Sequence, residues 1–153
     1  MSELAPLYTR VPRSTPKAIE KVTTLATALK QLPQVTFVTE HLLHAGMYTR
    51  TVRLPPGTVC AAVLIKVPTV LIVMGDCEVW SNDELISTHG YSVLPGSAGR
   101  KIAFVTRSPV CMSMMFPTSA TTVDEAQRQF TDEHELLVPL DRVDEHIALI
   151  TGE

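Results

Sequence analysis

The chain is short of aromatics, of charge and of cysteine, and each shortage excludes something. Phe, Trp and Tyr make up 5% of its 153 residues, so Tyr48, Tyr91 and Trp80 read as core or interface anchors rather than pocket linings. Lys and Arg number 13 against 16 Asp and Glu, a net charge of −3, with both signs mixed along the chain. No basic block exists that would neutralise several phosphates, so sequence-specific nucleic-acid binding is not expected. Cys60, Cys77 and Cys111 are an odd set inside apolar runs, which suggests small core residues and no disulfide framework. Met1–Pro12 has no apolar core of a secretion leader. The longest apolar stretch, Val59–Met74, is interrupted by Lys66, Pro68 and Thr69, so no membrane span is expected. There is no Gly-x-Ser-x-Gly elbow or Walker loop; Pro95-Gly96-Ser97-Ala98-Gly99 reads as a turn.

What is present is a single globular domain with an apolar fraction of 45%, enough to build a core without staples. Residues 1–14, with Pro6 and Pro12, read as an extended arm whose Leu4, Leu7 and Val11 suit a neighbouring subunit. The domain proper is expected over 15–137. Thr15 and Pro16 start a helix and Pro33 stops it, with Ile19, Val22, Leu25, Ala26, Leu29 and Leu32 on one stripe. Over about 35–117 the pattern changes to short strands: Val35–Thr39, Met47–Leu54, Thr58–Ile65, Val67–Met74, Cys77–Trp80, Leu85–Thr88, Tyr91–Leu94, Lys101–Thr106 and Val110–Phe116. Thr58–Ile65 and Val67–Met74 are apolar enough for burial on both faces. Strands at this spacing predict a mainly β sandwich or barrel. A capping box at Thr122–Glu125 opens a second helix, with Val123, Ala126, Phe130 and Leu137 on its stripe and Pro139 at its end. Residues 138–153 form a tail in which Val143, Ile147 and Ile150 are available to pack.

The turns Pro56-Gly57, Gly75-Asp76, Gly90-Tyr91 and Pro95-Gly96 through Gly99-Arg100-Lys101 are laid out like the two motifs of the cupin superfamily, over roughly residues 40–117. The resemblance implies an antiparallel jelly roll flanked by the two helices. More narrowly, His41–Arg50, the Gly75-Asp76 turn, Ala98–Lys101, Phe116-Pro117-Thr118, Thr122–Ala126 and Phe130–Glu133 resemble small cupin-like proteins of tailed bacteriophages and prophages. The cupin motifs imply metal-binding histidines near Val63 and Ile65, a glutamate near Pro68 or Thr69, and a third histidine at Arg100 or Lys101. None of the expected histidine or glutamate donors is there: valine and isoleucine have no lone pairs to offer, and a guanidinium or ammonium repels a cation. No metal or other cofactor is therefore expected, and no catalytic residue is assigned.

Two sets of residues remain. His41 and His44 are a close histidine pair, but on a strand a spacing of three puts them on opposite faces. Arg50, Arg53, Lys66, Arg100 and Lys101, with Tyr91, are the candidate ligand-binding residues. If they converge on the barrel mouth they suit an anion; otherwise they are surface charge balanced by Asp76 and Glu78. Met112, Met114 and Met115 read as core or a subunit contact. The resemblance, the arm and the tail together point to a non-catalytic phage assembly protein, a capsid decoration (cement) or tail-associated one. Its expected partners are a second copy, most simply as a homodimer, and structural proteins such as the major capsid protein. It would be made in the bacterial host cytoplasm and carried in the virion. The alternative is a soluble module binding a small anion in the barrel.

Overall fold

The computed structural model describes residues 9–137 and 146–150. Helix α1 (Pro16–Leu29) is followed by strands β1 (Val38–His44), β2 (Met47–Leu54), β3 (Val59–Ala61), β4 (Thr69–Met74), β5 (Cys77–Ser81), β6 (Glu84–Thr88), β7 (Tyr91–Gly96), β8 (Ala103–Thr106) and β9 (Val110–Pro117). Helix α2 (Val123–Phe130), a 3-10 turn (His134–Leu136) and strand β10 (His146–Ile150) complete it.

The strands form two sheets, ordered β10-β1-β2-β9-β4-β7 and β3-β8-β5-β6. Strand β2 pairs with β9, β3 with β8, β4 with β7 and β5 with β6, all antiparallel. Residues 47–117 thus behave as one long hairpin, tipped at β5–β6 and rolled up so that successive pairs fall in alternate sheets. That rolled hairpin is a jelly roll. The bend at its tip is Asn82-Asp83, both at positive φ. Asn82 also accepts from the Thr15 backbone N–H at 2.9 Å, and Lys21 pairs with Asp83 at 2.8 Å, so the tip fixes the start of α1. Thr15 caps the helix by accepting from Ala18 N–H at 3.1 Å. The core between the sheets is built from the inward alternation of β2, β4 and β9, with Tyr48, Leu71, Val73, Met112 and Phe116 buried.

Several expectations need correcting. The first strand is Val38–His44, not Val35–Thr39. Val35 and Thr36 are exposed after Pro33, while the turn at Ala45-Gly46, both at positive φ, lets β1 run on to His44 and pair with β2. Strand β4 is buried on one face only: it alternates, with Val70 and Met74 exposed. Helix α2 ends at Phe130 rather than continuing toward Pro139, because Thr131 turns extended and its hydroxyl accepts from Glu133 N–H at 3.1 Å. Val11, on the described part of the arm, is fully buried against the chain's own β7, exchanging backbone bonds of 2.8 Å with Pro95 and Ser97. Leu4, Leu7, Pro139 and Val143 lie outside the described residues. The tail contributes strand β10, parallel to β1.

Candidate functional site

Inward-facing side chains of both sheets line a partly open cavity of about 240 Å³. Val52, Leu54, Ile102, Phe104, Met112 and Met114 make most of its wall. Val63 and Ile65, the positions where the cupin pattern implies histidines, lie on it too. Leu136, half exposed, and Leu137 stand at its rim.

Two guanidiniums enter this apolar space. Arg50 points inward because β2 alternates, Tyr48, Val52 and Leu54 being its companions on that face. Its Nη1 is buried without a hydrogen-bond partner. Arg100 precedes β8 and bridges Ile65, its carbonyl accepting from Ile65 N–H at 2.9 Å. The residue is 2% exposed, its side chain donating through Nη2 to Thr69 Oγ1 at 2.6 Å and through Nη1 to the Ser97 carbonyl at 3.1 Å. Gly96 makes room for it, since a Cβ there would stand 2.7 Å from Arg100 Cζ. No carboxylate contacts Arg100 among the described residues, and burial pushes the guanidinium down to about 10. No described residue lining the cavity is acidic.

The other candidates do not join these two. Arg53 faces outward from β2 and pairs with Glu40 at 2.7 Å. Lys66 pairs with Asp132 at 2.5 Å. Lys101 is 4% exposed but lies on the α1 side, donating to Thr23 Oγ1 and pairing with Glu133 at 3.0 Å. Tyr91 is 64% exposed on the outer face of the larger sheet. The acids expected to balance this set are engaged elsewhere, Asp76 with His89 and Glu78 with Arg107.

A strap closes one side of the site. After Phe130, whose carbonyl accepts from Lys66 N–H at 2.8 Å, Glu133 accepts from Leu64 N–H at 2.7 Å while holding Lys101. Glu133 carries no local signal of this role: it stands among the polar residues Thr131, Asp132, His134 and Glu135 just past a helix, and its partners are 32 and 69 residues away.

Beneath the cavity, Tyr48 is fully buried, stacked on Phe130 and hydrogen bonded to His41 Nδ1 at 2.7 Å. Burial pushes its phenol above the usual range, and the nearby Arg50 charge pulls it part of the way back. His41 is buried and His44 exposed, on opposite faces of β1. Burial also raises Cys60 and Cys77 to about 11, so both thiols stay protonated at neutral pH and are poor nucleophiles.

The cavity does not fit a cupin-type metal. Arg100 and Thr69, where a histidine and a glutamate are implied, bond to each other instead, and a guanidinium repels a cation. Among the described residues no three His, Cys, Asp or Glu side chains cluster.

No family model matches the chain, and no curated protein matches it. Solved structures do. The cupin domain of an XRE-family transcriptional regulator from Enterobacter cloacae is 16% identical at a TM-score of 0.46, covering 54% of this chain and 99% of that one. A cupin-superfamily protein from Desulfitobacterium hafniense is 14% identical at a TM-score of 0.47, covering 73% and 98%. A cupin-2 domain protein from Shewanella frigidimarina is 12% identical at a TM-score of 0.41, covering 61% and 91%. By its own strand order the chain is a mainly antiparallel jelly roll flanked by an N-terminal and a C-terminal helix.

Proposed function

We propose that this protein is a non-catalytic binding module whose barrel takes a small anion between Arg50 and Arg100. One observation carries the reading: two guanidiniums enter a cavity that is otherwise apolar and offers no described carboxylate. A buried unpaired charge costs several kcal/mol, and a chain that needed only a packed core would place aliphatic side chains there. An anion that accepts from both guanidiniums relieves that cost in the bound state. The test is thermal unfolding as chloride is exchanged for butyrate at constant ionic strength. Wild type gains Tm with butyrate, while Arg50→Met and Arg100→Met do not. Equal melting in both salts would overturn the reading. Stoichiometric zinc, iron or manganese in protein purified without chelators would overturn its metal-free form.

A second reading is assembly through self-association, and the outer face of the larger sheet favours it. Val70, Met74 and Tyr91 stand exposed there on the adjacent strands β4 and β7. A second copy is the occupant that matches a patch presenting like against like. Attachment to a phage particle rests on the sequence resemblance alone, and mass spectrometry of purified virions tests it: absence from the particles would remove it.

A further inference from the structure

We infer that the anion held in the barrel is an organic carboxylate of about ten non-hydrogen atoms in all, most of them in an apolar body. This rests on the reading that an anion binds between Arg50 and Arg100, and adds what the anion must carry with it.

The donors come first. Among the described side chains lining the cavity, Arg50, Arg100 and Cys60 alone carry polar hydrogens, and a thiol is a weak donor. Two guanidiniums suit the two oxygens of one carboxylate, which accepts in the plane that each planar fork presents. A phosphate or sulfate brings more oxygens to the same few donors and leaves buried acceptors without partners. A sugar brings hydroxyls against Val52, Leu54, Ile102 and Phe104, which cannot answer them.

The arrangement of the wall comes next. Inward positions along β2 run Arg50, Val52, Leu54, and those on the paired strand β9 run Met114, Met112, Val110. Charge therefore sits toward one end of the cavity and the apolar wall runs away from it. That polarity matches a molecule with a carboxylate head and a hydrocarbon or aromatic body. Met112 and Met114 are flexible enough to follow either shape. A dry cavity of about 150 Å³ accommodates benzene, and in the same proportion 240 Å³ holds about ten non-hydrogen atoms.

Isothermal titration of the full chain at pH 7 with octanoate, 1-octanol and inorganic phosphate tests the inference. Octanoate is expected to bind one to one, about ten- to a hundredfold tighter than octanol, the difference that charge-assisted bonds confer. Arg100→Met, checked for folding by circular dichroism, is expected to lose about tenfold or more in octanoate affinity. Should that variant not fold, Arg50→Met carries the same comparison. Phosphate bound in preference to octanoate would overturn the ligand class while leaving the anion site standing. Octanol bound as tightly as octanoate would overturn both. Failure of octanoate to bind wild type overturns the inference, and the butyrate melting experiment then decides the anion reading separately.

Discussion

Arg100 costs the folded chain stability where it sits. Its guanidinium is almost wholly buried, has two neutral partners, and is held at about 10, below its value in the unfolded chain. The folded pKa is the lower one. Between those two values the unfolded chain therefore binds more protons, and this group's contribution becomes less unfavourable as pH rises. Below about pH 10 the full cost is present. Replacing Arg100 by Met, of similar reach and no charge, is expected to raise the unfolding free energy by about 1–2 kcal/mol at pH 8, net of the hydrogen bonds lost. The gap to wild type should narrow by pH 11, as read by urea titration at both pH values. A variant less stable than wild type at pH 8 would mean that Arg100 serves the fold and not a ligand. Gly96 acts through the same group. A Cβ at Gly96 would meet the guanidinium at 2.7 Å, so Gly96→Ala is expected to displace Arg100, lower Tm by a few degrees and abolish the butyrate response; an unchanged response would show that the guanidinium tolerates the shift.

The strap after α2 is the element that ties the domain together. Phe130 packs edge-on to Phe116 and stacked on Tyr48, while Glu133 joins the loop at Leu64 to Lys101 and, through Lys101, to Thr23 on α1. Two ion pairs hold this strap, and they are not equivalent. Lys101 is buried, so removing Glu133 leaves an ammonium out of water with the Thr23 hydroxyl as its one described side-chain partner; Lys66 and Asp132 are exposed. Glu133→Ala is expected to lose about 2–4 kcal/mol of stability, and Lys66→Ala no more than about 1 kcal/mol. Chemical denaturation of the two variants checks the contrast. Similar losses would mean that burial of Lys101 adds nothing to the pair.

For the whole molecule, the surface that bears on assembly is the outer face of the six-stranded sheet. At about 4.8 Å between strands and 3.3 Å per residue, six strands cover on the order of 600 Å² of projected area, near the size of one side of a specific interface. Among the described residues the charges on that face, Glu40 and Arg53, pair with each other near β1 and leave the β4–β7 region apolar. A dimer is expected by light scattering at micromolar concentration, and Met74→Glu together with Tyr91→Glu should return it to monomer. A wild-type monomer at that concentration would remove the self-association reading.

The jelly roll is legible in the turn residues, because Pro56-Gly57, Gly75-Asp76, Asn82-Asp83 and Gly90 break the apolar pattern where the rolled hairpin bends. The helix starts are equally legible, since Thr15-Pro16 and the Thr122–Glu125 box are local hydrogen-bonding devices. The poverty of metal donors at Val63, Ile65 and Arg100 also shows in the bare sequence, being a matter of side-chain chemistry alone. What only the tertiary structure decided was which charges meet. Arg50 and Arg100 share a cavity because β2 and the start of β8 face each other across the barrel. Arg53, three residues on from Arg50 and so on the opposite face of β2, sits outside with Glu40. Lys101 and Glu133 meet through closure of the roll. Alternation is a local property that any strand carries; convergence depends on long-range register, which no window of sequence encodes.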